Sequence, residues 1–330
     1  MRLVIAISRT STLEAYYTTV HIAYEALLAK HPVRIVEPWD FEVDSAGRLV
    51  TRAHALDAVP EDREALVELL ANRKALRRYV ELTPADTMLL RVNPLDPAVL
   101  AFAQLAKLAG VVVYNDPGTL MLTGHKGYLA TLDGVPRPAT MVTRSRATAR
   151  LFAEGQAHGV VIKPARSSGG RGVSLVPQPR KQHGFDGAFD AARRLGDGYV
   201  VVQEYLPGAA AGEKRLVWLD GEVIGGYLRG RAPGDFRHNL ARGGTPQACA
   251  ITPQDHELVS SISPFLLRDG VWLAGLDVID DRIVEVNTLN PGGVHFGDAI
   301  NGTQMASRIV RHLERVHGRR IATNVEAQHP

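Results

Sequence analysis

The sequence predicts an α/β fold in two successive parts, a parallel α/β region followed by an α+β region. In the first third of the chain, apolar strand-like runs alternate with amphipathic helical stretches, which is typical of parallel α/β units. Further on, residues 160–176 place a glycine-rich loop between two apolar runs. Near the end, residues 271–293 have the pattern of a hairpin that carries carboxylates and an amide.

The composition is that of an ordinary globular protein. With 330 residues, 45% of them apolar and 22% charged, the chain can bury a sizeable core in about two or three packed units. Cys249 is the single cysteine, which excludes an internal disulfide or a thiolate metal cluster and fits a reducing compartment. We find no signal-peptide pattern, no run of membrane-spanning length and no long basic run, so we expect a cytoplasmic protein without nucleic-acid or membrane partners.

Residues 1–120 are predicted to form the parallel α/β domain. The strands are expected at RLVIAI, VRIVE, DTMLLRV and VVVYN, a hairpin at FEVDSAGRLVT, and helices at residues 12–30, 61–79 and 97–108. A helical stretch at residues 118–132 carries Lys126, and "GVPRPATMVT" then has the pattern of a linker that leads into a strand. We therefore place a domain boundary near residue 120.

The α+β region begins with a strand from Ala139, a helix at residues 146–158, the strand–loop–strand, a helix at residues 185–195 and the strand YVVVQEYL. A hairpin turning at Asp220-Gly221, a polar loop, a helix at residues 253–267 and a final hairpin and helix follow. The predicted limits are residues 121–200 and 201–320, with a frayed tail at residues 321–330.

The glycine-rich loop lies in "VVIKPARSSGGRGVSLV". Gly169, Gly170 and Gly172 fit neither the dinucleotide-binding fingerprint nor the Walker loop, because an apolar strand-like run and not a helix follows them. Successive N–H groups without a Cβ between them can hold phosphates, and Lys163 would add positive charge. The alternative is a surface turn at Lys163-Pro164 followed by a merely flexible connection.

The final hairpin allows an argument from register, because side chains on a strand alternate between faces. A three-residue connection at residues 280–282 would place Asp277 opposite Glu285 and bring Asn287 to the same face. These oxygen ligands suit Mg²⁺ completed by water and phosphate. A two-residue turn would instead pair Asp277 with Val284 and mix polar with apolar side chains. The other predicted pairs are Ile279–Ile283, Val278–Val284 and Leu276–Val286, and the alternative interpretation is a solvent-exposed polar face.

A third element is the strand "VVVQEYLPG", which ends in Glu204, Tyr205 and Leu206 before a proline. An extended backbone that leaves a sheet there could pair with the edge of an adenine ring held between apolar neighbours. The alternative is a plain strand end.

Together these elements resemble the ATP-grasp superfamily, and most closely the bacterial glutathione synthetases. The resemblance extends over nearly the whole chain. The matching segments, in family order, are RVNPLDP followed by VVVYNDPGTL and Lys126, VIKPARSSGGRG, VQEYLPG, EKRLVWLDGEVI, RAPGDFRHNLARGG, GLDVIDDRIVEVN and PGG.

The resemblance implies an N-terminal parallel α/β (pre-ATP-grasp) domain on the substrate side, followed by a two-subdomain α+β ATP-grasp unit with ATP and Mg²⁺ as cofactors. Residues 231–244 would be a mobile lid that excludes water. The implied phosphate-side residues are Lys126, Lys163, Ser168, Gly169, Gly170 and Gly172, the adenine-edge residues are Glu204, Tyr205 and Leu206, the metal ligands are Asp277, Glu285 and Asn287, and the residues near the transferring phosphate and the substrate carboxylates are Arg215, Arg231, Arg237 and Asn239.

The implied reaction is ATP-dependent joining of a carboxylate to an amine through an acyl phosphate, with γ-glutamylcysteine and glycine as substrates and glutathione as product. The expected partners are small amino-acid or peptide substrates, and homo-oligomer formation is left open. Three segments depart from the family pattern: SRTSTLEAYY, EKR where an aspartate often comes first, and Asn290 to Gly293. An ATP-grasp ligase for another acid or amine therefore stays an alternative. A non-catalytic nucleotide-binding regulator is disfavoured, because the metal-type residues and both lysines are retained.

Overall fold

The computed structural model describes residues 1–72, 77–177 and 184–328. None of the helices in these ranges is long and apolar enough to cross a membrane. The strands are β1 (Arg2–Ile7), β2 (Val33–Val36), β3 (Phe41–Val43), β4 (Leu49–Leu56), β5 (Arg77–Glu81), β6 (Asp86–Arg91), β7 (Val112–Tyr114), β8 (Thr140–Thr143), β9 (Val160–Pro164), β10 (Ser174–Val176), β11 (Val200–Glu204), β12 (Glu213–Leu219), β13 (Glu222–Gly230), β14 (Thr245–Gln247), β15 (Leu273–Ile279) and β16 (Arg282–Asn287). The helices are α1 (Thr18–Leu28), α2 (Arg63–Ala71), α3 (Pro97–Leu108), α4 (Leu120–Thr123), α5 (Gly127–Ala130), α6 (Arg146–Glu154), α7 (Phe185–Leu195), α8 (Pro253–Arg268), α9 (Val294–Asn301) and α10 (Met305–Gln328).

The chain divides into two compact units. The first contains residues 1–120, 270–273 and those from 289 onward, and the second contains residues 121–269 and 274–288. Residues 289–320, which we predicted as part of the C-terminal subdomain, group with the first unit because α9 and α10 pack against α1. Residues 321–328 continue α10 and do not form a separate tail. The functional assignment of the domains stays a prediction.

The first unit is built on a seven-stranded sheet in the order β3-β4-β2-β1-β6-β7, with β5 paired to β4. Strands β2, β1, β6 and β7 are parallel, as predicted, and β3, β4 and β5 add an antiparallel edge. Leu3, Val4 and Ile5 of β1 are fully buried, as expected of a parallel strand covered on both faces.

Two predicted helices of this unit are too long. The helix predicted at residues 12–30 begins at Thr18. The helix predicted at residues 61–79 ends at Ala71, and its last part is instead the strand β5. The apolar spacing continues past Ala71, but β5 pairs with β4 along five residues and buries Val80. Tertiary pairing therefore overrides the helical period. Residues 73–76 lie outside the described part of the chain.

The second unit contains two antiparallel sheets. The four-stranded sheet has the order β10-β9-β11-β8, and α6 and α7 cover it through buried side chains that include Ala149, Phe185 and Phe189. The five-stranded sheet has the order β14-β13-β12-β15-β16. The predicted turn at Asp220-Gly221 is confirmed, and both residues have positive φ (46° and 97°), as a two-residue hairpin turn requires.

Two of the four predicted residue pairs of the β15–β16 hairpin are confirmed, but the turn that produces them is shorter than predicted. Asp277 does pair with Glu285 and Leu276 with Val286, while Val278 pairs with Ile283 and Ile279 with Arg282. The connection is the two-residue turn Asp280-Asp281, with φ of 50° and 53°, and not the predicted three residues. A β-bulge restores the carboxylate pair, because Val284 is an extra residue opposite the Asp277/Val278 step.

Candidate active site

The candidate site is built on the five-stranded sheet, and cross-strand register brings its charged side chains together. Asp277 is opposite Glu285 on β15 and β16, and Glu213 is opposite Arg229 on β12 and β13. Arg215 lies two residues after Glu213 and so faces the same side of β12. Because β12 is the neighbour of β15, these side chains form one buried charged patch within the second unit.

Asp277 is held by two arginines and one amide. Its carboxylate accepts hydrogen bonds from Arg215 (Nε at 2.5 Å and Nη2 at 3.0 Å) and from Asn287 Nδ2 at 3.2 Å, and it forms an ion pair with Arg229 Nη2 at 2.5 Å. Burial by itself would raise the pKa of Asp277, but Arg215 and Arg229 outweigh it and hold the pKa well below its ordinary value. The carboxylate is therefore ionised and fixed in orientation.

Glu285 lies between two lysines. Lys126 Nζ is 3.0 Å from Oε1, and Lys163 Nζ is 3.8 Å from Oε2. Burial alone would raise the pKa of Glu285, but the two ammonium groups lower it below its ordinary value. Burial lowers the pKa of Lys163, which also donates to Gln203 Oε1 at 3.0 Å. Three predicted site residues thus meet in one ion-paired cluster.

The three predicted metal ligands fit Mg²⁺ by their chemistry. Asp277 and Glu285 form a cross-strand pair, and Asn287 is two residues further along β16. The Asn287 amide donates to Asp277 and to the Gly275 carbonyl, so its nitrogen is engaged by the protein. Among the described residues there is no group of three His, Cys, Asp and Glu side chains that could hold a metal. Two carboxylates and one amide oxygen, completed by water and phosphate, are nevertheless a typical Mg²⁺ environment.

The glycine-rich loop connects β9 to β10, and its backbone requires glycine. Gly169, Gly170 and Gly172 have φ of 63°, 68° and 68°, a region in which side chains are strained. A Cβ on Gly172 would also come within 2.8 Å of Leu195 Cδ1. Lys126 Nζ donates to the Ser167 carbonyl at 2.9 Å. One lysine thus connects this loop to Glu285.

Residues 231–244, the lid segment, contact the glycine-rich loop. Arg242 Nε donates to the Gly169 carbonyl at 3.2 Å, and Arg237 Nη1 donates to the Gly170 carbonyl at 3.3 Å. Asn239 Oδ1 lies against Gly170, where an added Cβ would overlap it. Arg237 also forms an ion pair with Asp235 at 2.7 Å. In contrast, Arg231 is exposed at the start of the segment.

The predicted adenine edge is less open than the sequence suggested. The Glu204 amide donates to the Ala139 carbonyl at 2.8 Å, and the Tyr205 amide donates to the Gly159 carbonyl at 3.1 Å. The Glu204 carboxylate accepts from the Ala139 amide at 3.1 Å. Leu206 is buried. Pairing with a base edge would therefore rely on the other backbone groups of this segment.

The sequence interpretation missed two residues of the charged patch, Glu213 and Arg229. In the sequence, Glu213 is distinguished only as a departure from the family pattern, and no motif marks Arg229. The turn at Asp220-Gly221 indicates that β12 and β13 pair with each other. A register shift between Val217 and Trp218, however, moves the cross-strand pairs on the far side of it by one residue. Counting back from the turn without that shift does not place Arg229 opposite Glu213.

We expect Glu213 to make stability depend on pH. Burial, together with Asp277 and Glu285, raises its pKa from 4.5 to about 7 against the opposing effect of Arg229. Between these values the folded state keeps a proton on Glu213 that the unfolded state has released, so the contribution of Glu213 to the free energy of unfolding falls as the pH rises. A raised pKa of this size corresponds to a loss on the order of 3 kcal/mol in the contribution of Glu213.

The test is urea unfolding between pH 4.5 and 7.5 of the wild type, Glu213→Gln and the control Glu222→Gln, an exposed carboxylate on the same hairpin. Relative to the wild type, Glu213→Gln should become more stable as the pH rises over this range, because only the wild type loses the Glu213 proton, whereas the difference between Glu222→Gln and the wild type should stay constant. The same pH slope in all three proteins would contradict the raised pKa.

Comparisons with known proteins identify the family. The family model for the prokaryotic glutathione synthetase ATP-grasp domain matches residues 128–301. The glutathione synthetase of Xanthomonas campestris pv. campestris is 32% identical over 312 residues, which cover 90% of this chain and 92% of that protein. The chain belongs to the prokaryotic glutathione synthetase family. The glutathione synthetase of Thermosynechococcus vestitus is 33% identical over 202 residues, 61% of this chain and 62% of that protein, so this match spans less than two thirds of the relative.

Solved structures agree on the fold. D-cycloserine synthetase DcsG has a TM-score of 0.64 at 17% identity, with 96% of this chain and 99% of that chain covered. The ATP-grasp ligase PsnB, complexed with a precursor variant, Mg and ADP, has a TM-score of 0.58 at 15% identity, with 96% and 98% covered. The predictions of an α/β ATP-grasp fold and of the family are confirmed. This family consists of carbon–nitrogen ligases that use ATP and Mg²⁺, in agreement with the predicted class and cofactors.

Proposed function

We propose that this chain is an ATP- and Mg²⁺-dependent ligase that joins γ-glutamylcysteine to glycine through an acyl phosphate, giving glutathione, ADP and phosphate. The observation that carries the proposal is Glu285, which is ion-paired to Lys126 and Lys163 beside the glycine-rich loop and is opposite Asp277. A cluster of carboxylates and ammonium groups of this kind suits phosphate oxygens together with a divalent cation.

In the proposed mechanism, electrostatic stabilisation supplies most of the catalysis. Lys126 and Lys163 bind phosphate oxygens as point charges, and the N–H groups around Ser168, Gly169, Gly170 and Gly172 hold the phosphates. Asp277, Glu285 and Asn287 would hold Mg²⁺, which neutralises charge that develops on the phosphates. No side-chain nucleophile is needed, because the substrate carboxylate attacks the γ-phosphorus and the amine then attacks the acyl phosphate.

Arginines bind the acid substrate in this proposal. Arg215 orients Asp277 within the buried patch, and Arg231 has an exposed side chain that would reach the acid substrate. Arg237 and Asn239 lie against the glycine-rich loop, so they would contact the transferring phosphate. Guanidinium groups favour two-point contacts with carboxylates. An acid with a second carboxylate, such as γ-glutamylcysteine, therefore suits the site.

A substrate screen tests the proposed function. The purified chain with ATP, Mg²⁺, γ-glutamylcysteine and glycine should release ADP and form glutathione, measured by coupled assay and mass spectrometry. Omission of either substrate should stop ADP release. If another acid and amine pair drives ADP release while no tripeptide forms, the glutathione assignment is wrong and the alternative of a different ATP-grasp ligase replaces it. If no pair drives ADP release, the regulator alternative gains support.

We also propose that residues 231–244 close over bound ATP as a lid. Arg231, Arg237 and Arg242 offer trypsin three sites in this segment. Cleavage there should slow when an ATP analogue, Mg²⁺ and the acid substrate are present together. Equal cleavage with and without ligands would contradict closure.

A pair of glycine variants gives this test a matched control. Gly170→Ala and Gly169→Ala both place a side chain at positive φ, but only the Cβ at position 170 meets Asn239, since nothing lies within 4 Å at position 169. Gly170→Ala should therefore speed tryptic cleavage of the lid segment more than Gly169→Ala does. Equal rates in the two variants would show that the Asn239 contact does not hold the segment.

The cytoplasmic location belongs to this proposal and rests on the single cysteine, which suits a reducing compartment. Small amino-acid or peptide substrates are the proposed partners. The interspersed charges and the absence of a long basic run in the sequence argue against nucleic acid.

A further inference from the structure

The first unit contains a cavity made by residues other than those of the candidate active site. It has a volume of about 410 Å³ and is lined by side chains that include His21, Glu25, Arg63, His295, Asp298 and Ser307. These come from α1, from α9 and α10, which both pack against α1, and from the first residue of α2. The volume falls within the range of small-molecule sites.

The helices present polar pairs to this cavity. His21 and Glu25 are four residues apart on α1, and His295 and Asp298 are three apart on α9, so each pair lies on one helix face. The rings of His21 and His295 approach edge to face, with centroids 5.1 Å apart. Since the described residues contain no group of three His, Cys, Asp and Glu side chains suited to a metal, the histidines do not indicate a cation site.

His21 has an unused acceptor. The residue is 6% exposed, its ring donates to the Ala15 carbonyl, and Nε2 has no hydrogen-bond partner within the described residues. Burial lowers the pKa of His21 to about 4, so the ring is neutral at pH 7 and we assign the acceptor role to Nε2. Buried polar atoms are rarely left without a partner. A ligand that donates an N–H or O–H group would supply one.

The charges around the cavity are of both signs. Glu25 and Asp298 are acidic, and Arg63 is close enough to act electrostatically on Glu25 and on both histidines. Asp298 Oδ1 is engaged by Thr303 Oγ1 at 2.7 Å and by the Met305 amide at 2.8 Å, so Asp298 also has a structural role. Glu25 and Arg63 are therefore the charged side chains best suited to a ligand.

We propose that this cavity binds a small zwitterion, an amino acid or short peptide, with its ammonium group at Glu25 and His21 and its carboxylate at Arg63. A ligand of this class matches both signs of charge and supplies a donor for His21 Nε2. The proposal does not depend on which acid and amine the ligase joins.

Calorimetric titration of the full chain without ATP or Mg²⁺ tests this site. The probes are glycine, L-glutamate and γ-glutamylcysteine, with acetate and ethylamine as ligands that carry only one of the two charges. At least one zwitterion should bind more tightly than acetate and ethylamine. Glu25→Gln and Arg63→Gln should each weaken its binding about tenfold, as expected for loss of a charge-assisted contact. The controls Glu68→Gln and Arg78→Gln change exposed residues of the same unit and should leave binding unchanged.

The results distinguish between the acid substrate and a free amino acid as the ligand of this cavity. Binding of γ-glutamylcysteine alone, weakened in both cavity variants, would identify the cavity as a site for the acid substrate, whereas binding of glycine or glutamate would identify a free amino acid. The proposal is overturned if no zwitterion binds at millimolar concentration, or if the cavity variants bind as tightly as the controls. Circular dichroism of every variant confirms folding. Failure here leaves the substrate screen unaffected, because that screen measures ADP release.

Discussion

Glu285→Gln should lower magnesium-dependent ADP formation roughly a thousandfold, an effect of the size found when one electrostatic contact to a transition state is removed. Glu285 forms ion pairs with Lys126 and Lys163 and is opposite Asp277. Glutamine keeps the shape of the side chain but removes the charge that would hold Mg²⁺ and balance the two ammonium groups. The loss should therefore appear in catalysis and in the dependence on Mg²⁺ concentration.

Asp281→Asn is the matched control for this variant. It removes one carboxylate from the same hairpin at an exposed position. Residue 281 has a φ of 53°, a conformation that asparagine tolerates. Asp281→Asn should keep wild-type activity and thermal stability. Near-normal turnover of Glu285→Gln at every Mg²⁺ concentration would show that the metal site lies elsewhere.

The sequence predicted the Asp277–Glu285 pair because alternation sorts carboxylates from aliphatic residues on a strand. It did not predict how the chain achieves this pair. A two-residue turn at Asp280-Asp281 and a bulge at Val284 together give, for Asp277 and Leu276, the same pairs as the three-residue connection we expected. A shorter turn combined with a bulge can leave the same total number of unpaired residues as a longer turn. The polar and apolar pattern therefore predicts this total but not how it is divided between turn and bulge.

The placement of the other residues of the charged patch could not be predicted from the pattern, because some of their contacts join strands that are not adjacent in the sequence. Arg229 reaches both Glu213 and Asp277 because β12 lies between β13 and β15. Strand order in the sheet is a tertiary property, and no local signal near Arg229 encodes it. In a similar way, residues 77–81 form the strand β5 although the spacing of apolar residues predicted a helix as far as residue 79. Pairing with β4 decides their structure.

Asp277→Asn should destabilise the fold by about 3 to 5 kcal/mol at pH 7, since removal of one partner leaves buried charges uncompensated. Arg215 and Arg229 both donate to this carboxylate, and all three side chains are less than 10% exposed. The two arginines lower the pKa of Asp277 in the folded state. Its stabilising effect is thus fully present above the unfolded pKa near 3.8 and is lost as the pH falls toward the lower folded value.

A double-mutant cycle separates this electrostatic effect from simple loss of packing. Arg229→Met removes one of the two cations, so the variant that combines it with Asp277→Asn has fewer uncompensated charges than Asp277→Asn alone. The double variant should be destabilised by less than the sum of the single variants, with a coupling energy on the order of 1 to 3 kcal/mol from urea unfolding at pH 7. The destabilisation of Asp277→Asn relative to the wild type should also shrink below pH 3.8. Additive effects, or an unchanged difference at low pH, would mean that Asp277 stabilises the sheet by packing and not by balancing Arg215 and Arg229.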